Sequence, residues 1–249
     1  MIVMKKLNLF LLAFLAVIGV TFQSCDDGDY YSIGDFAADW ATVNVKGAHV
    51  YDFTGDRWGK LWPAATNYPG YSPIDGQRVI VYFNPLFDNY PEGYDCSIKL
   101  EGIREILTKN IEELTAENEE EFGNDPVSIY EGNMWISRGG YLNIIFNQNL
   151  PAKYKHRVSL VKNTTVTPED DGYIHLEYRY NTYDDTIDRW VYGAVSFNLN
   201  SLDITSETKG IKVKINSATN GEKEITFDLK PSASPEKLSQ FDFSQTEIR

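Results

Sequence analysis

Between Tyr173 and Tyr180 the side chains alternate. Ile174, Leu176, Tyr178 and Tyr180 fall on one side, and His175, Glu177 and Arg179 on the other. A period of two marks a strand with one buried and one solvated face. The pattern returns in Val191, Val195, Phe197 and Leu199 against Tyr192, Ser196 and Asn198. It returns again in Ile211, Val213 and Ile215 against Lys212 and Lys214, and in Ile225, Phe227 and Leu229 against Glu224, Thr226 and Asp228. The polar loop between the last two carries Asn220–Gly221 and reads as a hairpin. Tyr141 to Phe146 and His156 to Val161 add two further strands. One-sided strands cannot line a parallel sheet covered by helices on both faces. They predict an antiparallel β-sandwich over residues 123–249.

The first half is less regular. Val43 and Val45 alternate with polar neighbours, and a turn-rich stretch follows with Gly55, Gly59, Pro63, Pro69, Gly70, Pro73 and Gly76. Val79 to Phe83 (VIVYF) is an unbroken β-branched and aromatic run, as expected of a central strand. Ile98 and Leu100 alternate again. Ile103, Ile106, Leu107, Ile111 and Leu114 fit a helical face, yet Gly102 and the strand context favour a strand. Glu117 to Pro126 (ENEEEFGNDP) is acidic and rich in turn formers, and it reads as the boundary loop between two units. No repeat of a length that would suggest a solenoid or propeller is present.

The N-terminus carries an address. Lys5 and Lys6 precede an apolar run from Leu7 to Val20, too short to span a bilayer, which needs about 20 residues. Thr21 to Ser24 then lead to Cys25, followed by Asp26, Asp27 and Asp29. The stretch resembles a bacterial lipoprotein signal over residues 1–24, with Cys25 as the acylated residue and 25–35 as an acidic tether. Phe22 and Gln23 depart from the usual lipobox. A diacylated cysteine would bind the bilayer stably, whereas one chain would not. The aspartates resemble an export signal to the outer face of the outer membrane; the alternative is the periplasmic face. With Cys25 acylated, Cys96 has no partner and reads as a small buried hydrophobe. With Cys25 free, a disulfide between the two is open.

The strand Trp40–Val45 (WATVNV), the central strand Arg78–Asn84 (RVIVYFN) and Arg104–Ile111 (REILTKNI) resemble the NigD-like lipoproteins. The resemblance implies an OB-like β-barrel over 36–122, a β-sandwich over 123–249, and Ile103–Ile111 as a strand of the barrel. It carries no established molecular activity and no catalytic or binding residues. The family's link to a bacteriocin operon implies, as an alternative, an immunity or structural role.

Signals for chemistry are sparse. His49, His156 and His175 lack metal-ligand spacing and read as surface or hydrogen-bonding residues. No HExxH, GxSxG, P-loop or GxGxxG motif occurs. Ser-x-x-Lys appears at Ser159, Ser206 and Ser234, without the partners that a penicillin-binding site requires. Asp184, Asp185 and Asp188, like Glu169, Asp170 and Asp171, read as solvated loop charges. Asp185–Thr186–Ile187 resembles an O-glycosylation acceptor, with Thr186 the modified residue. A net charge of −13 argues against nucleic acid as a partner. Aromatics make up 14% of the chain, and Tyr51, Trp58, Trp62, Tyr68 and Tyr71 crowd around the turn-rich stretch. OB barrels bind ligands on such faces, and rings there stack on sugars; the competing reading is that they cover the barrel core. We therefore expect a non-catalytic module, without cofactor or metal, anchored to the bilayer through Cys25 and contacting a glycan or a protein. A hydrolase is the least favoured reading.

Overall fold

The structure is a computed structural model, and it describes residues 36–47, 50–86, 90–245 and 248–249. Cys25, the signal segment and the tether lie outside the described residues, as does His49. Among the described residues no helix is long and apolar enough to cross a membrane.

Five strands close into a barrel: β1 (Ala37–Gly47), β2 (Val50–Gly55), β3 (Gly59–Thr66), β4 (Arg78–Leu86) and β5 (Cys96–Glu105). The order is β1-β2-β3-β5-β4, with β4 returning to β1 and a parallel β3–β5 pair completing the ring. Val43, Phe53, Leu61, Val79, Val81, Phe83, Ile98 and Leu100 fill it. The tight β2–β3 turn depends on two glycines. A Cβ on Gly59, at φ 71°, would lie 2.3 Å from the Asp95 carboxylate, and one on Gly55 would lie 2.2 Å from that of Asp39.

The unbroken run in β4 now has a cause. Val79, Val81 and Phe83 point into the barrel, while Ile80 joins a separate core with Trp40, Trp135, Ile145 and Ala194. The strand is buried on both faces because the second domain covers the barrel's outside.

That domain is a sandwich of two sheets. One has the order β14-β13-β11-β10-β7, built from β7 (Glu112–Leu114), β10 (Arg157–Asn163), β11 (Tyr173–Asn181), β13 (Gly210–Ser217) and β14 (Gly221–Phe227). The other, β6-β12-β9-β8, contains β6 (Leu107–Asn110), β8 (Ser128–Ile136), β9 (Tyr141–Pro151) and β12 (Thr186–Asn198). Leu142, Ile144, Phe146, Val195 and Phe197 meet Leu160, Leu176, Tyr178 and Val213 between them. A single-turn helix, α1 (Glu119–Phe122), lays Phe122 over Leu114 and Val161 on the outside of the five-stranded sheet.

Three expectations need correction. The sheets are mixed rather than antiparallel: β7–β10, β11–β13 and β6–β12 are parallel. Alternation fixes which face is buried, not the direction of a neighbour. Here β12 crosses to the opposite sheet between β11 and β13, so β13 returns parallel. Next, Ile103 to Leu114 is extended, but it is the end of β5 followed by β6 and β7, which join the two sheets of the sandwich. The chain therefore leaves the barrel near Glu105, well before residue 122. Finally, the segment after β14 does not stay on the sandwich. Leu238, Phe241 and Phe243 return to the core between the domains, and Arg104 donates to the carbonyl of Phe243 at 3.2 Å.

A buried polar network joins the domains. Arg78 pairs with Asp56 at 2.6 Å and donates to Thr42 Oγ1 and, across the interface, to Asn143 Oδ1. Trp135 Nε1 donates to the same Asp56 oxygen at 2.8 Å, and Ser196 to Asn143 at 2.7 Å. Such a pair is tolerated in a dry site only when its remaining donors and acceptors are satisfied.

Candidate functional site

The five barrel aromatics fall into three groups. Tyr51, Tyr71 and Tyr68 form a line, with ring centroids 5.5 Å and 6.3 Å apart, anchored on Phe53 of the barrel core. Trp58 stands edge-on to Phe83 at 5.3 Å and packs against the barrel core. Its role is a lid on that core, and Tyr51 shares it. Trp62, on β3, pairs with Tyr94 at 5.3 Å, a residue that the sequence pattern does not single out. Tyr94 is held there by donating to Asp52 at 2.8 Å.

Beside the tyrosine line lies an open cleft of about 380 Å³, lined by Tyr68, Tyr71, Ile103, Arg104 and Glu105. Tyr68 is 42% exposed. Its loop is fixed by Tyr68 N donating to Thr66 Oγ1 and by Asn67 donating to Glu101. The Tyr71 hydroxyl is shielded from solvent and has no hydrogen-bond partner among the described residues. Burial, with Glu105 and the neighbouring tyrosines, pushes its pKa up to about 12. It remains a neutral phenol. Arg104 and Glu105 belong to the stretch REILTKNI, which carries no ligand-binding signature, so nothing along the chain marks them as neighbours of Tyr71.

A second cleft, of about 660 Å³, lies under the loop between β10 and β11, with Val166, Pro168 and Tyr173 over His175, Glu177 and Glu224. At its rim, donor atoms of Glu169, Asp171 and His175 lie within 4.8 Å of one another. The Lys212 ammonium is already among them, 2.7 Å from Asp171 and 3.4 Å from Glu224. It holds the Asp171 carboxyl well below the usual carboxylate range. Asp171 is thus part of an ion-pair network and not a free loop charge.

Of the two expectations for His156, surface or hydrogen-bonding, the structure shows the second. It is fully buried, with Nδ1 2.6 Å from the Tyr180 hydroxyl and Nε2 2.9 Å from the carbonyl of Asp185. His175 is half-buried, with Nε2 3.0 Å from Asp171. Thr186 is exposed at the start of β12, and the neighbouring Asp185 carboxylate accepts from the amides of Lys153 and Tyr154. Cys96 is a buried free thiol in the barrel core, as expected of a small hydrophobe.

A closed five-stranded barrel joined through a buried interface to a mixed-sheet sandwich, with an aromatic rim on the barrel, defines a two-domain all-β class. Residues 40–106 match the NigD-like N-terminal OB domain, and residues 110–229 match the NigD-like C-terminal beta sandwich domain. The chain belongs to the NigD-like family. Among solved structures it is similar to a protein of unknown function (DUF1344) from Bacteroides vulgatus, at 30% identity and a TM-score of 0.71. The match covers 84% of this chain and all of the other. A protein described as toxin-related from Parabacteroides distasonis matches at 36% identity and a TM-score of 0.66, covering 83% of this chain and 97% of that one. A NigD-like immunity protein from Bacteroides caccae shares the fold at 18% identity and a TM-score of 0.55, covering 79% and 94% of the two chains. No curated protein matches the chain.

Proposed function

We propose that this NigD-like protein is a non-catalytic binding module held at a membrane by acylated Cys25, with the barrel rim contacting a glycan or a protein partner. The observation that carries the reading is the tyrosine line ending in an open cleft lined by Tyr68, Tyr71, Arg104 and Glu105. An aromatic wall with a few convergent polar groups is the usual make-up of a small-ligand site. Trp62 with Tyr94 supplies a neighbouring aromatic surface, whereas Tyr51 and Trp58 act chiefly as its support. Asp26, Asp27 and Asp29 favour the outer face of the outer membrane as the module's location. A protein of similar fold from Bacteroides fragilis, at 12% identity, is described as a lipoprotein, which accords with the anchor. Thr186 stands where a modifying enzyme could reach it.

Glycan arrays and cell-surface pulldowns with the intact protein test the rim. Tyr68→Ala and Trp62→Ala should abolish retention of the captured ligand, and unchanged capture would remove the site. Replacing Cys25 with Ser should move the protein from the membrane to the soluble fraction. The immunity reading is favoured by one observation, the fold shared with the protein from Bacteroides caccae. If deletion of the protein leaves sensitivity to a co-produced bacteriocin unchanged, that reading fails.

A further inference from the structure

Beyond β14 the chain leaves the sandwich edge, and residues 232–243 run across the junction onto the barrel. Apart from one short turn at Leu238–Gln240, this strap has no regular structure. Separate fastenings hold it. On the sandwich side, the amide of Ser232 donates to the carbonyl of Ile136 at 2.8 Å. On the barrel side, Arg57 of the β2–β3 turn donates to the carbonyl of Ser234 at 3.2 Å and stands 3.7 Å from the Glu236 carboxylate. Leu238 and Phe243 then bury in the shared core, and Arg104 holds the carbonyl of Phe243. A segment fastened at points rather than along a ladder can open without unfolding the sheets beneath it.

A titratable group lies under the strap. Asp39 is fully buried, and one of its carboxylate oxygens accepts from the amides of Arg57 and Trp58 at 3.1 Å and 3.0 Å. Ser234, also buried, brings its hydroxyl to 3.4 Å from the other oxygen. A hydroxyl donates to a carboxylate and accepts from a carboxylic acid, so Ser234 suits both forms. The charges around Asp39 are mixed. Asp56 and Arg57 come from the β2–β3 turn, Arg78 from β4 and Glu236 from the strap, while Arg138 of the sandwich acts on Asp56. Arg78 is committed to Asp56 at 2.6 Å, and Arg57 to the strap. Among the described residues no cation pairs directly with Asp39.

Strap closure and proton uptake are therefore linked. Closing the strap takes Asp39 out of water, which penalises its charged form. Burial, aided by Asp56, pushes the carboxyl up to about 6, although the two amides favour the carboxylate. With the strap open, water reaches Asp39, and its carboxyl falls back toward its ordinary value. The raised value belongs to the closed state, so the proton favours closure, and that advantage is lost as pH rises through about 6. We propose that residues 232–243 form a proton-operated strap over the domain junction, with Asp39 as its sensor and Arg57 and Ser234 as its clasp, closing on acidification and loosening at neutral pH.

Hydrogen exchange read by mass spectrometry on the intact protein tests it, at about pH 5 and about pH 7.5, with each rate divided by the chemical exchange rate at that pH. The strap amides should exchange faster than those of β11 at both values, because the strap opens without global unfolding. A shift from 3.8 to about 6 that arises wholly from closure makes the strap about tenfold easier to open at the higher pH. Its protection should fall by up to that factor in the wild type and stay level in Asp39→Asn. Arg57 is partly exposed, so Arg57→Met keeps the core intact, and it should lower strap protection at both pH values. The proposal is overturned if strap and β11 amides show equal protection, or if wild-type strap protection is the same at both pH values. A pH dependence that survives Asp39→Asn, or strap protection unchanged by Arg57→Met, overturns it as well.

Discussion

The barrel and the sandwich bury their strands differently. The facing sheets of the sandwich meet through a large core of their own, and β11 keeps a polar outer row of His175, Glu177 and Arg179. The barrel has a smaller core, and its β1 and β4 also turn Trp40 and Ile80 outward into the shared interface. A small closed barrel has little interior to fill, and stability rises with the fraction of surface buried. The barrel gains part of that burial from its neighbour. The sandwich should therefore be the more self-sufficient unit, and the barrel should be held in shape by the interface.

Arg78 gives the most severe way to break that dependence. Arg78→Met leaves the Asp56 carboxylate buried beside Trp135 with its cation removed. Breaking one side of a buried pair typically costs about 3–5 kcal/mol, so chemical denaturation should show a loss of that size. The double variant Arg78→Met with Asp56→Leu should recover most of it. A single-variant loss near zero would mean that the interface does not brace the barrel. Phe243→Ala, in the returning segment, should cost about 3 kcal/mol by the cavity it leaves beside Trp40. In the same denaturation series, this variant should lower the barrel transition more than the sandwich transition.

A pH effect of the next size follows from Asp39. Its carboxylate accepts from the amides of Arg57 and Trp58 and from Ser234 of the C-terminal segment. Burial nevertheless pushes its pKa up to about 6. The folded state then holds a proton that the unfolded chain has released. The stabilisation is full below about 3.8 and is lost as pH rises through about 6. Stability at pH 4.5 relative to pH 7 should favour the wild type over Asp39→Asn by up to about 2 kcal/mol. Parallel pH profiles for the two proteins would refute this.

Much of this contrast was readable along the chain. The row Ile174, Leu176, Tyr178 declared a one-sided strand, and VIVYF declared a central strand, though not what covers its second face. Chain direction was not readable, because burial periodicity is the same for parallel and antiparallel neighbours. Nor was the division at Ile111, where one apolar run serves two sheets. The returning segment was hidden too: Leu238, Phe241 and Phe243 stand without periodicity among Pro, Ser and Lys, and only the groove that they fill gives them meaning. For the binding surfaces, the aromatic cluster was visible, but the split between core lid (Trp58) and cleft wall (Tyr68, Tyr71) depends on barrel closure.

The smallest expected effect concerns the wild type itself. Cys96 is a buried thiol inside the barrel, and burial raises its pKa, which further suppresses the reactive thiolate. Its alkylation rate therefore reports barrel opening, while fluorescence or circular dichroism reports unfolding of the whole. If the Arg78 network and the returning segment make the two domains one cooperative unit, both curves should share a denaturant midpoint. Arg78→Met should separate them, with Cys96 reacting at denaturant concentrations where the sandwich is still folded. Early reaction of Cys96 in the wild type would show that the barrel opens by sub-global unfolding, and that the buried ion pair sets the domains' relative position without joining their stabilities.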